Sequence, residues 1–208
     1  MISQKQRTIR TYDTIAPDYS NVNFEYFWID ELKKFKRLIQ GKKVLDIGCG
    51  AGRDAAMLIE NGFDYTGIDA SKGMLKVASR RVPRGKLMKM DFYKLKFPDA
   101  IFDGFWASAS FLHVPKADVE KVILEAKRVI RPGGIGFISM KQKTTLDEGI
   151  IKDGRYGTPA ARYFSFYEKN EFKKKLLDSG LKVISMTTHK EKGDRELVWL
   201  CYFVQKLT

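Results

Sequence analysis

The chain has 208 residues, enough for one domain with a full core. Its 44% hydrophobic and 30% charged residues are those of a globular protein, and no apolar run approaches the ~20 residues of a membrane span. Two cysteines and two distant histidines exclude a disulfide framework and a zinc site, so no metal is expected.

The 38 Lys and Arg against 25 Asp and Glu leave a net charge of +13. Such a charge permits attraction to RNA, anionic lipid or acidic small molecules, and equally describes a lysine-rich solvated surface. The first residues, Met-Ile-Ser-Gln-Lys-Gln-Arg, lack the apolar core of a signal peptide, which points to the cytoplasm.

In chain order, residues 3–20 read as a helix and turn, with Tyr12, Ile15 and Tyr19 on one face and Pro17 as an interruption. Residues 23–39 read as a second helix. Phe24, Phe27, Trp28, Leu32, Phe35 and Leu38 form its apolar stripe, with Trp28 the member expected nearest a ligand. Residues 43–52, Lys-Val-Leu-Asp-Ile-Gly-Cys-Gly-Ala-Gly, follow as a buried strand and a glycine loop, and a helix opens at Arg53. Strand, glycine loop and helix begin a nucleotide-binding βαβ unit. Asp46 ends the strand. A carboxylate there would repel the pyrophosphate of a dinucleotide, and the GxGxG spacing departs from GxGxxG, so a nicotinamide enzyme is disfavoured. S-adenosylmethionine carries a sulfonium and an ammonium and no phosphate, and suits an acid at that place.

Val44-Leu-Asp-Ile-Gly-Cys-Gly-Ala-Gly-Arg53 resembles the first motif of the class I S-adenosylmethionine-dependent methyltransferases. That resemblance implies S-adenosylmethionine as cofactor, with Asp46, Gly48, Cys49, Gly50 and Arg53 around it. Thr11-Tyr-Asp-Thr-Ile-Ala-Pro-Asp-Tyr19 resembles the lead-in of small-molecule methyltransferases, where the segment is a lid. This makes residues 1–40 a helical lid, with Tyr12, Tyr19 and Trp28 toward the substrate.

Tyr65-Thr-Gly-Ile-Asp69 is a second strand ending in an acid 19 positions beyond Gly50, near the ~20 at which such folds set an acid on ribose hydroxyls. Asp69 could instead cap the helix that starts near Ser71. By the resemblance, Ala70 and Met74 lie along the cofactor. Residues 71–97 hold nine Lys or Arg and one acid, Asp91, a basic stretch that is either a solvated helix face or a phosphate patch. Residues 86–90 are a third strand. Asp91 and Phe92 beyond it match the family's adenine contacts, the alternative for Asp91 being a turn residue. Residues 101–107 are a fourth strand. Asp103 to Val114 resembles the family's fourth motif, which puts Ala107 and Ser108 by the cofactor and offers His113 as a general base or as a core histidine.

Residues 117–130 read as a helix stopped by Pro132, and Arg131-Pro-Gly-Gly134 as a structural turn into a strand at 135–140. Residues 141–167 lack a period and mix basic with aromatic residues, so they read as an irregular substrate loop containing Arg162 and Tyr163. A helix at 168–179 and two strands, 181–188 and 197–206, around the turn at Lys192 close the chain. The expected fold is one α/β domain over 1–208: a doubly wound seven-stranded sheet, mostly parallel with a C-terminal antiparallel strand, and helices on both faces. The expected activity is methyl transfer to a small-molecule O, N or S acceptor by a monomer or homodimer. The rivals are a tRNA base methyltransferase, suggested by the charge and by Arg162-Tyr-Phe, and a non-catalytic S-adenosylmethionine-binding module.

Overall fold

The computed structural model describes residues 2–22, 27–190 and 197–207. Phe24 of the second helical stripe and the turn at Lys192 lie outside them. The elements run α1 (Gln4–Val22), α2 (Ile29–Leu38), β1 (Lys43–Ile47), α3 (Arg53–Glu60), β2 (Asp64–Asp69), α4 (Lys72–Arg81), β3 (Lys86–Lys89), β4 (Phe102–Ser108), a 3-10 turn (Phe111–His113), α5 (Val119–Val129), β5 (Ile130–Lys141), β6 (Glu148–Asp153), β7 (Ala160–Ser165), α6 (Lys169–Asp178), β8 (Leu181–Lys190) and β9 (Val198–Lys206).

Seven strands form one sheet in the order β3-β2-β1-β4-β5-β9-β8. The pairs β1–β2, β2–β3, β1–β4 and β4–β5 are parallel, and β9 runs against both β5 and β8. The winding reverses between β1 and β4, and a crevice outside the C-terminal ends of the strands at such a reversal is where open α/β sheets bind ligands. Both faces are covered. On one, Val122 and Ile123 of α5 and Leu176 of α6 share a core with Ile138 and Tyr202. On the other, Phe35 of α2 and Leu58 of α3 share a core with Phe137 and Phe203. Burial of most of β1, β4 and β5 explains their mainly apolar sequences.

Four local expectations differ from the structure. Helix α1 does not break at Pro17 but continues to Val22. Proline lacks an N–H, so the Asp13 carbonyl four residues back loses its helical partner. Asp13 lies against the start of α4 instead, where its carboxylate accepts from Ser71 Oγ (2.7 Å) and Gly73 N (2.8 Å). The second helix begins at Ile29, later than the apolar stripe suggests, with Asp30 and Glu31 in its first turn and Lys36 and Arg37 in its last, the order the helix dipole favours. Strand β5 already starts at Ile130, paired with Phe102, and the register shifts before Gly104 pairs with Ile135, so Arg131–Gly134 is an insertion within the strand.

The fourth difference is the largest. Residues 141–167 are not irregular: β6 and β7 pair antiparallel, from Glu148 opposite Ser165 to Asp153 opposite Ala160. Nearly all of β7 is buried, including Arg162, so it shows no alternation of apolar and polar residues. Its main chain is bonded by α1: Tyr163 N donates to Thr8 Oγ1 (3.0 Å), and Thr11 Oγ1 donates to the Ala161 carbonyl (2.9 Å). Two threonines thus cover polar groups that an edge strand would otherwise leave open.

The close approach of α1 to α4 depends on Gly73, where a Cβ would stand 2.5 Å from the Asp13 carbonyl oxygen. Gly73→Ala is expected to push α1 outward and lower stability by about 1–3 kcal/mol, the range for overpacking. Thermal melting and limited proteolysis near α1 check it, and an unchanged melting temperature would show that the two helices do not pack as described.

Candidate active site

The C-terminal ends of the strands open into a cavity of about 830 Å³. Its floor is the loop after β1. Gly48 N and Cys49 N both donate to the Ile68 carbonyl (2.9 Å each), which ties the loop to β2. Gly50 has a φ of +54°, and a Cβ placed there would meet nothing within 4 Å. Its side of the loop is therefore bare backbone facing ligand space, and glycine carries the left-handed φ without strain.

Four charged side chains surround this loop. Asp46 ends β1, is 2% exposed and accepts from the Tyr65 hydroxyl (2.9 Å). Burial pushes its carboxyl well above the usual range, and the neighbouring Asp54 charge pushes the same way. Asp54 pairs with Arg53 (2.6 Å) and accepts from Trp106 Nε1 (3.0 Å). Burial works against its charge, but Arg53 and the indole N–H outweigh burial and hold Asp54 below the usual range. Asp69 ends β2 and accepts from Gly50 N (2.9 Å) and Ser71 N (2.8 Å). Burial raises it to about 6 in spite of these amides. The cap of α4 is Ser71, which accepts from Met74 N, so Asp69 sits two positions outside the cap and keeps lone pairs for a ligand. Three acids facing one guanidinium favour a cationic ligand.

Farther along the wall, Ala70, Met74, Phe92 and Ser108 line the cavity, whereas Ala107 is fully buried beneath it. Asp91 lies after β3, and its two oxygens take Tyr93 N (3.0 Å) and Lys5 Nζ of α1 (2.6 Å). That ion pair is half exposed, and such pairs contribute about 0–1 kcal/mol, so a ligand can displace Lys5 at small cost. Ser110 Oγ is a buried wall atom with no partner among the described residues.

The residues expected at the substrate end divide. Tyr12, Tyr19, Trp28 and His113 line the cavity. Arg162 and Tyr163 do not line it. Arg162 is buried and donates to the Tyr12 hydroxyl (3.1 Å), while the Tyr163 hydroxyl turns away to Glu148 (2.6 Å). His113 has both ring nitrogens engaged, Nδ1 with the Tyr163 carbonyl (2.6 Å) and Nε2 with the Tyr12 hydroxyl (2.8 Å). A carbonyl only accepts, so Nδ1 carries the proton and Tyr12 donates to Nε2. Burial, aided by the Arg162 charge, lowers His113 to about 3. A neutral histidine whose free lone pair is already taken joins α1 to β7. To act as a base it would first have to lose Tyr12.

Sequence reasoning missed Lys5, Phe27, Asp54, Tyr93, Ser110, His189 and Trp199, all of which line the cavity. The signal for Asp54 was its place directly after Arg53. His189 and Trp199 carried none that a local reading could use, because they face each other only through the pairing of β8 with β9.

Residues 45–138 match the model of a methyltransferase domain family. A methyltransferase of Streptomyces halstedii, GfsG, is 37% identical over 116 residues, covering 52% of this chain and 41% of that protein. The chain spans about half the length of the curated relatives it matches. Among solved structures, an S-adenosylmethionine-dependent methyltransferase of Methanosarcina mazei has a TM-score of 0.74 at 19% identity, covering 84% of this chain and 97% of its own. The [4+2]-cyclase SpnF has a TM-score of 0.73 at 17% identity, covering 99% and 97%. The chain has the class I Rossmann-like fold of the S-adenosylmethionine-dependent methyltransferases. The cyclase shows that this fold also carries other chemistry, so function has to come from the site.

The donor set fits S-adenosylmethionine: bare backbone at Gly50, acids at 46, 54 and 69 for a cation and ribose, and Asp91 with Met74 and Phe92 for a flat base. The His113 assignment has its own check. Its ring resonances, identified by their loss in His113→Asn, should not titrate between about pH 5 and pH 8. Titration with an ordinary histidine midpoint would contradict the Tyr12–His113 bond.

Proposed function

We propose that the chain is an S-adenosylmethionine-dependent methyltransferase with a small-molecule acceptor. The observation that carries this reading is the acid floor, with Asp46 and Asp54 buried and Asp69 half-buried, under a glycine loop at the sheet's reversal point. A phosphate-bearing dinucleotide would meet like charge there, whereas a sulfonium and an ammonium meet opposite charge.

The bound cofactor supplies a methyl group on a good leaving group, and the acceptor's lone pair displaces it in line. The protein's part is to position and to exclude water. Asp69 accepts from ribose hydroxyls, Asp91 accepts from an adenine amino group once Lys5 yields, and Asp46 and Asp54 balance the positive charge. Helix α1 covers the cavity through Tyr12 and Tyr19. Protein-assisted deprotonation is unnecessary where the acceptor atom is already ionised or carries a free lone pair, which accords with the occupied Nε2 of His113.

Enclosure under α1 supports a small acceptor over a polynucleotide. A tRNA acceptor would instead rely on the exposed Lys72, Lys76 and Arg80 face of α4. Binding of bulk tRNA that falls steeply as salt rises would favour that alternative. Free thiols at Cys49 and Cys201 accord with a reducing cytoplasm.

Calorimetry with S-adenosylmethionine tests the reading. Wild type should bind, and Asp69→Ala should weaken binding by about 1–3 kcal/mol through unpaired hydroxyls. Protonating Asp69 removes a negative charge and an acceptor, so affinity should decline as pH falls below about 6. Absence of both heat and thermal shift with wild type would end the methyltransferase reading, and a pH-independent affinity would end the role of Asp69.

A further inference from the structure

One end of the cavity is built almost entirely of rings. Phe27 and Trp28 come from the segment entering α2, His189 from the end of β8 and Trp199 from the start of β9, and all four line the cavity. Phe27 lies 4.4 Å from His189 and 4.6 Å from Trp28 between centroids, and Trp28 lies 5.7 Å from Trp199 at 86°. The β8–β9 register sets His189 opposite Trp199, and the β5–β9 register sets Trp199 opposite Lys141 at the C-terminal end of β5. The ring wall therefore stands at the ligand-binding edge of the sheet, beyond the acid floor.

Trp28 is 1% exposed, and its indole Nε1 has no hydrogen-bond partner among the described residues. By contrast, Trp106 Nε1 donates to Asp54 at 3.0 Å. A buried indole N–H can only donate, and buried donors are ordinarily satisfied, so Trp28 calls for an acceptor oxygen at this wall. Among the described residues, the charge around the rings is mixed but leans positive. Lys190 lines the cavity, and Lys141 Nζ is 5.5 Å from the Trp199 ring. Glu31 faces His189 Nδ1 at 3.9 Å. Rings bordered by lysines suit a flat π-system bearing negative charge better than an ammonium.

We infer that the acceptor is a planar aromatic compound carrying a hydroxyl, phenolate or carboxylate oxygen, seated against Phe27, Trp28, His189 and Trp199 with that oxygen on the Trp28 N–H. This rests on the methyltransferase reading and names the substrate class for the same site. Stacking fixes the ring plane, and the indole donor fixes its rotation within that plane. An ionised ring oxygen is itself a competent nucleophile and needs no base from His113, whose ring nitrogens are both taken.

Binding is measured by calorimetry on the protein saturated with S-adenosylhomocysteine, using caffeate, 1-hydroxy-2-naphthoate and 8-hydroxyquinoline as aromatic probes. Cyclohexanecarboxylate and choline are the non-aromatic and cationic comparisons. At least one aromatic probe should bind saturably and at least tenfold more tightly than either comparison. Trp28→Phe, which keeps a ring and removes the donor, should weaken that probe about tenfold, and Trp199→Leu should weaken it likewise. Both variants should keep the wild-type affinity for S-adenosylhomocysteine, which also shows that they fold. Preference for choline or cyclohexanecarboxylate, no aromatic binding, or indifference to both substitutions would overturn the inference. Failure of S-adenosylhomocysteine to bind the wild type is a separate result that counts against the methyltransferase reading itself.

Discussion

Three carboxylates and one guanidinium share a water-poor floor at the mouth of the sheet, and the electrostatics of that floor constrain the site. Burial disfavours charge on Asp46 and Asp69, while Arg53 secures it on Asp54. The free protein therefore holds one acid, Asp46, whose ionisation awaits a positive partner, and a second, Asp69, that ionises above about pH 6. A cation entering the cavity supplies that partner, and the floor should release protons as it does so. The glycine loop, the Ile68 carbonyl that anchors it and Tyr65 beneath Asp46 all serve to hold these acids at their strand ends.

Helix α1 completes the cavity from outside the sheet, and its attachments are polar rather than apolar alone. Asp13 bonds the start of α4, Thr8 and Thr11 bond β7, Tyr12 bonds His113, and Lys5 pairs with Asp91. These bonds reach the cofactor end, the roof and the hairpin of the domain at once. The half-exposed Lys5–Asp91 pair is the weakest of them, and it lies where an adenine would enter. The His113–Tyr12–Arg162 chain is largely shielded from water, with Arg162 buried and the other two half-buried, and breaking it would leave unpaired polar groups.

The parts of this site legible in the sequence are those made by one short segment. Strand, glycine loop and acid sit within ten residues around Asp46, and Asp69 and Asp91 each end or follow a strand whose pattern is local. The structure keeps all three at the cavity. The hairpin of β6 and β7 escaped notice because burial on both sides erases the period-two pattern of a half-exposed strand. Arg162 and Tyr163 read as substrate residues because a basic and an aromatic residue in a loop suggest a ligand, but α1, Asp153 and Glu148 occupy them. Pro17 read as a break because the docking of α1 on α4 at Asp13 is tertiary. The ring wall was half visible: Trp28 stood out in its helix, while His189 and Trp199 reach it only through strand pairing across the C-terminal sheet.

The central claim is that charge at the glycine loop selects a cationic methyl donor over a nucleotide bearing phosphates. A competition titration of S-adenosylmethionine against NADH on the same protein tests it most directly. S-adenosylmethionine should saturate the site and remain bound in the presence of excess NADH. Displacement by NADH, or binding of NADH alone, would contradict the claim.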